Sequence, residues 1–345
     1  VIPAEGSLAP DTSGPGWLVA ESTRLSRVLP DGSSVVVAPL PDLAGELELR
    51  ALDRWACVAE RFGLRAVLVD LDTGATRSYS REDHHCDVSS YSVALLHIDG
   101  RVVVALQTQW CRLDLFDAET GDLLTDREIS RREDGSTENH VDFFHSRLLI
   151  SPEHTRMVSN GWVWAPVDVL MVYRVQDFLM RWEPSGARFQ GSGDNWDRPI
   201  CFIGEDHLVV ALDRVESAWC GRMPRDDEAE CADNADPHHP FVLLNLEEPD
   251  EEGYLVVERF LGPDFLALDP QCAEVKGDLA HDATSGLMVA TDASKGSIAF
   301  DLEGVVRHEW LDLSSDNGWR FFPERRCFAR LTDALGVEER AFPSA

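Results

Sequence analysis

Two stretches, VLVDLDTGATRSY (67–79) and LDLFDAETGDLLTD (113–126), decide how this chain is read. Each is an apolar run, a tight turn and a second run. The turns share the form Asp-x-x-Thr-Gly, at 70–74 and 117–121. An Asp at the first position can cap the turn's free N–H groups, and a Gly at the last accepts positive φ. Short runs rich in Val, Leu and aromatic residues, broken by such turns, are strands.

The same phrase returns as LMVYRVQDFLMRW (170–182), VLLNLEEPDEEGYLVV (242–257) and IAFDLEGVVRHEW (298–310). Ahead of each lies a turn followed by one apolar strand. These are LDRWACVAE (52–60), DGRVVVAL (99–106), PEHTRMVS (152–159), EDHLVVAL (205–212) and TSGLMVAT (284–291). A last copy, PERRCFARL (323–331), begins a final unit. Helical periodicity is almost absent. Turn-strand followed by strand-turn-strand, repeated every 40 to 55 residues or about that, is one four-stranded antiparallel sheet per repeat. The expected fold is all-β: a single β-propeller domain over residues 1–345. Counting the phrases favours six blades, with seven as the alternative if residues 17–50 build their own. In the six-blade reading, GWLVAES (16–22) or SSVVVAPL (33–40) completes the short last blade and closes the ring.

The Asp-Leu-Asp-Thr-Gly and Asp-Ala-Glu-Thr-Gly turns resemble those of bacterial quinoprotein-like propellers, within the wider group of WD40-like folds. The Trp-Asp dipeptide of WD40 blades is missing from the strand ends. The resemblance covers roughly residues 17–341 and speaks to architecture, not to activity. It implies that ligands bind where loops converge around the channel mouth. With strands lettered A to D from the channel outward, those are the D-to-A and B-to-C loops.

The formal charge is −31, from 31 Lys and Arg against 62 Asp and Glu. Such a charge repels phosphate backbones and anionic lipid, so nucleic acid and membrane are not expected as partners. No apolar run is long enough to span a bilayer. That excludes the palmitoyl-transferase reading of Asp83-His84-His85-Cys86, a motif of multi-span membrane enzymes. Eight scattered cysteines form no Cys-x-x-Cys, which favours a reducing, cytoplasmic setting; a secreted form after removal of a leader is the alternative. Cys220 and Cys231 bracket one loop and are the pair that could form a disulfide.

The D-to-A loops carry the candidate chemistry. The first holds Asp83, His84, His85 and Asp87; the second Glu138, Asn139, His140, Asp142 and His145. The third holds Asp194, Asn195 and Asp197, the fourth Asp278, His281 and Asp282, the fifth Asp316 and Asn317. Asp, Asn and His cap turns and tie blade to blade, which accounts for the set as a whole. As a ligand site, the candidates are His84, His85, Asn139, Asp194, Asn195, Asp197, Trp219, His281, Asp316 and Asn317. As a metal site they are His84, His85, Glu138, Asn139, Asp197 and Asp316, with Ca²⁺ or Mg²⁺ as the expected cation. Residues 213–240 form a long insertion between strands B and C, with Trp219 and His238-His239, read as a lid or recognition loop, with a disordered surface excursion as the alternative. Trp162 and Trp164, in SNGWVWAPVD (159–168), are read as packing residues.

The leading functional expectation is a monomeric module that binds a protein or small molecule on the loop face. The alternative is a metal-dependent hydrolase of lactonase type, or a lyase, with Glu138 and His140 as catalytic candidates. Lactonase-like propellers hold a divalent cation with Glu, Asn and Asp from separate blades. No contiguous motif carries that ligand set onto this chain.

Overall fold

The computed structural model describes residues 6–125, 130–131, 137–138, 142–164, 167–179, 186–191, 196–212, 240–263, 265, 277–332 and 334–343. Their strands form seven antiparallel blades arranged as a β-propeller. Blade 1 spans residues 7–39, blade 2 47–80, blade 3 93–117, blade 4 144–190, blade 5 200–261, blade 6 278–310 and blade 7 320–341. Among the described residues five blades have four strands, and blades 3 and 7 have three. A single bridge between Phe116 and Leu123 begins a fourth edge on blade 3. A short separate ladder pairs Ser130–Arg131 with Thr137–Glu138.

Strand Trp55–Glu60 shows why the sequence makes stacked sheets. Side chains alternate between the two faces of a strand. Ala56 and Val58 enter a core shared with blade 1, which supplies Leu18, Leu25 and Ala38. Cys57 and Ala59 enter a core shared with blade 3, which supplies Val93, Leu95 and Val104. Both faces are buried, so the strand reads as one continuous apolar run. Equivalent cores join blades 3 and 4, 4 and 5, 5 and 6, and 6 and 7. The ring closes through a seventh core, where Leu8, Trp17, Val19 and Val28 of blade 1 meet Cys327 and Ala329 of blade 7.

The Asp-x-x-Thr-Gly turns form as the sequence predicts. Asp70 accepts from the N–H of Asp72 at 2.9 Å and of Thr73 at 3.3 Å, and Asp117 accepts from Glu119 at 2.9 Å and Thr120 at 3.0 Å. Gly74 has φ +73°, and a Cβ there would lie 2.6 Å from the carbonyl oxygen of Val37.

Two expectations are corrected. The blades number seven, not the favoured six, because residues 7–39 pair into a sheet of their own. The N-terminal strands do not complete the last blade: Ser7–Pro10 pairs with Trp17–Glu21 and is the inner strand of blade 1. Side chains make the seam instead. Arg325 of blade 7 donates to the carbonyl oxygens of Asp11, Gly14, Pro15 and Gly16, and its guanidinium sits 5.1 Å from the Trp17 ring centre. The Trp17 ring meets Phe322 edge-on at 4.9 Å.

Candidate functional site

Besides the seven cores between blades, the described residues contain an eighth apolar cluster, on the loop face. Its rings come from three blades. Phe144 starts the inner strand of blade 4, Phe144–Ile150, and Trp162 is the last residue but one of the next strand, Arg156–Val163. The two stack at 3.8 Å with planes 8° apart. Trp110 joins them from the B-to-C turn of blade 3, and Trp196 from the connection into blade 5.

The loop from blade 2 to blade 3 lies against this floor, and a buried arginine shapes it. Arg81 donates to the carbonyl oxygens of Gly63 at 2.8 Å, Cys86 at 3.0 Å and Ser89 at 2.8 Å. It also reaches Gln107 Oε1 at 2.7 Å and lies 4.8 Å from the Tyr91 ring centre. Burial lowers the Arg81 pKa. His85 turns the chain with φ +52°, and its carbonyl accepts from the N–H of Val88 and Ser89. Two indoles pin the far side: Trp162 Nε1 donates to Ser89 Oγ, and Trp196 Nε1 to the Val88 carbonyl, each at 2.8 Å.

The loop thereby sets two imidazoles among the rings. His84 lies 4.7 Å from Trp110 and 4.4 Å from His85, both edge-on. His85 meets Trp162 and Trp164 at 5.5 Å. Trp164 stands perpendicular to the floor, at 88° to Phe144 and 87° to Trp162. Phe144 and Trp162 are 1% and 3% exposed, whereas Trp164 is 51% and Val88 43% exposed. His84 is exposed; His85, Trp110 and Trp196 are half-buried. The result is a notch whose aromatic floor is covered by the rings above it and whose solvent-facing surface is the rim: the Trp164 wall, Val88 and His84. Around it the exposed charged side chains of the described loop residues are Glu82, Asp83, Asp87 and Asp142, all acidic. Asp142 stands 3.9 Å from Cys111 Sγ at the cluster's edge.

A polar network crosses the channel mouth beside the notch. Asp197 accepts from Ser90 Oγ at 2.9 Å and lies 3.5 Å from Arg61, which also pairs with Glu46 at 2.7 Å. Burial raises the Asp197 pKa, and Arg61 and Ser90 only partly oppose it. Arg147 of blade 4 reaches Asp278 of blade 6 at 3.5 Å. Burial pushes the Asp278 pKa up, but Arg147, Arg320, Arg61 and Arg50 outweigh it and hold the carboxyl below the usual range.

The structure sorts the sequence candidates. His84 and His85 come together, and Asp197 joins their loop through Ser90. Asp316 and Asn317 lie on a 3₁₀ turn, Ser315–Asn317, between blades 6 and 7, where Asn317 Nδ2 donates to Ser314 Oγ at 2.8 Å. His281 is not in a mouth loop, which corrects its expected place. It belongs to the inner strand Asp278–Asp282, at the end far from the mouth, next to Asp282 and its Arg326 partner. Asn139, His140, Asp194, Asn195, Trp219, Cys220, Cys231 and the insertion's residues 213–239 lie outside the described residues, and Glu138 is described by its backbone alone. Among the described residues, no three His, Cys, Asp or Glu side chains gather as a metal-holding set, so no step is derived through Ca²⁺ or Mg²⁺.

Sequence reasoning missed the aromatic floor. Of the two tryptophans read as packing, Trp162 packs and Trp164 stands exposed. Trp110, Phe144 and Trp196 belong to the same cluster. A signal was present, since Trp110, Trp162, Trp164 and Trp196 all fall at strand ends or in connections on one face.

No protein-family model matches this chain, and no curated protein matches it. Solved structures do. The β-propeller domain of Cps50 (Swd1) from Myceliophteria thermophila superposes with a TM-score of 0.55 at 10% identity, covering 98% of this chain and 96% of that one. BamB from Moraxella catarrhalis gives a TM-score of 0.53 at 12% identity, covering 99% and 84%. These likenesses show the propeller fold and stop there. Among the described residues no helix is long and apolar enough to cross a membrane.

Proposed function

We propose that this propeller is a binding module whose recognition surface is the aromatic notch on its loop face. One observation carries the reading: a ring cluster separate from the seven blade-to-blade cores carries Trp164, 51% exposed, at its rim. Aromatic side chains concentrate at binding hot spots because they offer large rigid area at little entropic cost. The floor is stacked, the loop above it is held by Arg81, and two indole N–H groups anchor it. A partner would meet a preformed surface, which limits the ordering cost of association. The fold accommodates this role, since propellers present converging loops on a rigid scaffold.

A site-specific photocrosslinker tests the reading. Placed at Trp164 in cells that make the protein, it should yield discrete adducts that disappear in a His84→Ala background. Placed at Glu251, in the C-to-D turn on the opposite face, it should yield none of these. Identical adducts from both positions, or none from position 164, would rule the notch out. The hydrolase or lyase reading rests on Glu138 and His140, and no described feature favours it.

A further inference from the structure

We infer that the outer strand of blade 7, Val337–Ala341, is a dimer interface, where two copies of this chain pair edge to edge, antiparallel and centred on Glu339. Such a dimer would replace the monomer expected from the sequence. Blade 7 adjoins blades 6 and 1, away from the notch, so the interface and the notch stand or fall separately.

The edge is built to accept a strand. Blade 7 has three strands among the described residues, and Val337–Ala341 pairs only with Cys327–Leu331. The N–H of Phe342 donates to the Arg326 carbonyl, and the N–H of Thr332 to that of Gly336. Backbone groups alternate in direction along a strand, so Glu338 and Arg340 bond inward. Val337, Glu339 and Ala341 turn their N–H and C=O groups outward, where no backbone bond among the described residues meets them. The ladder is regular, without a bulge. Edges are commonly blunted by bulges or by cover, and most blades here follow that rule. The outer ladders of blades 1, 5 and 6 carry register shifts. The outer strand of blade 3 is bonded by Leu124 and Thr125, and that of blade 4 by Gly253 and Leu255. Blade 2 ends in Thr76–Ser80, which is also regular, but its one charge, Arg77, is held by the carbonyls of Ala118 and Glu119.

The order of charges names the occupant. The strand reads Val337-Glu338-Glu339-Arg340-Ala341. Laid antiparallel on its own copy about Glu339, it sets Glu338 opposite Arg340 of the second copy and Arg340 opposite that copy's Glu338. Val337 meets Ala341, and every outward N–H and C=O finds a partner. Glu338 and Arg340 lie on one face of the sheet, where Glu338 pairs with Arg330 at 2.7 Å and Arg340 with Asp312 at 3.8 Å. Dimerisation would join these pairs into one row of alternating sign. Opposite charges directly across a ladder stabilise it, and like charges destabilise it. Centring the pair on Glu338 or on Arg340 would set like charges face to face, so the sequence selects one register. Glu339 does meet its own copy, but it lies on the other face of the sheet, where Trp17 Nε1 of blade 1 donates to its carboxylate.

The net charge of −31 opposes self-association at long range, so the test is run at about 0.15 M salt, where the Debye length is about 8 Å. Sedimentation velocity of the full chain over a micromolar concentration series should show a dimer. Glu338→Arg and Arg340→Glu should each weaken it by at least about tenfold, because both reciprocal pairs become repulsive. An equimolar mixture of the two variants should dimerise again, since every charge then faces its opposite. Thermal unfolding reports whether each variant folds. One that does not is replaced by Glu338→Gln or Arg340→Gln, expected to weaken the dimer about threefold. A wild-type chain that stays monomeric, a folded variant that leaves the dimer intact, or folded charge reversals that fail to pair when mixed would overturn the inference. Crosslinking from position 164 is read independently, so loss of the dimer leaves the notch standing.

Discussion

The two ends of the channel are built from turns of the same blades, yet one is knit turn to turn and the other leaves aromatic surface exposed. At the A-to-B end the turns bond to one another around the ring. His97 of blade 3 pairs with Asp53 of blade 2 at 2.8 Å, and its N–H donates to His154 Nδ1 of blade 4 at 3.1 Å. Glu205 of blade 5 accepts from Ser151 and from the N–H of Glu153, both in the blade 4 turn. Arg326 of blade 7 grips Asp282 of blade 6, and Arg325 closes onto blade 1. At the loop end, rings from three blades gather outside the seven blade-to-blade cores, and Trp164 stays exposed at their rim. Turns of a few residues reach only the next turn, so their polar groups satisfy each other. Longer connections carry side chains beyond the sheets, and there part of the surface stays exposed.

The largest expected effect tests whether the loop end rests on a rigid base. Asp168 and Arg198, 1% and 0% exposed, form an ion pair between blades 4 and 5 beneath the loops. Asp168→Ala removes a buried carboxylate from the Arg198 guanidinium and should lower unfolding stability by about 3–5 kcal/mol, read by urea denaturation. A loss under about 1 kcal/mol would mean that the pair is not a keystone.

Next comes the seam. Arg325→Ala removes four carbonyl contacts and the Trp17 ring contact, and should cost about 2 kcal/mol. The loss should appear as faster limited proteolysis near residues 11–16, ahead of cleavage in blades 3 and 4. Uniform acceleration everywhere would show that the seam is no weaker than the other blade contacts.

A smaller effect has opposite signs at the two ends. Burial raises the Asp282 pKa, but hydrogen bonds from Arg326 and Ser285 outweigh it, so the folded value is lowered. Its contribution is complete above the unfolded value of about 3.9 and is lost as pH falls through the lower folded value. Asp282→Asn should therefore destabilise at neutral pH, with the gap to wild type closing in acid. Asp197, at the loop end, has a raised folded value because burial dominates. Its ionised form opposes folding above that value, and the opposition fades as pH drops below about 3.9. Asp197→Asn should stabilise at neutral pH, and that gain should vanish in acid. Urea midpoints at neutral and acidic pH decide both; shifts of the same sign would erase the contrast.

The smallest effect is Trp164→Ala, which should change stability by less than about 0.5 kcal/mol, since the side chain is 51% exposed. A larger loss in thermal unfolding would make Trp164 a structural residue and weaken the proposal that it serves recognition.

Much of this fold is legible in a few phrases. The strand Leu287–Thr291 carries both core faces in one run, and Asp117 to Gly121 states its turn outright. Blade 1 is harder to read, because residues 7–39 lack the repeated phrase. Its separate identity rests on burial of both sheet faces: Leu18 and Leu25 pack toward blade 2, Trp17 and Val28 toward blade 7. A strand lent to the last blade would leave one of those faces uncovered. The candidate site was half visible. His84 and His85 stand out as a pair, but the rings around them come from residues 110, 144, 162, 164 and 196. Apolar residues look alike in sequence whether a core covers them or a surface exposes them.

Alternation and turn chemistry act between residues a few positions apart, so the linear order alone dictates all-β blades, their tight turns and the acidic surface. Blade number, the side-chain seam and the open notch depend on which sheet lies beside which. Those are contacts between residues up to hundreds of positions apart, such as Trp17 with Glu339, and they exist only once the ring has closed.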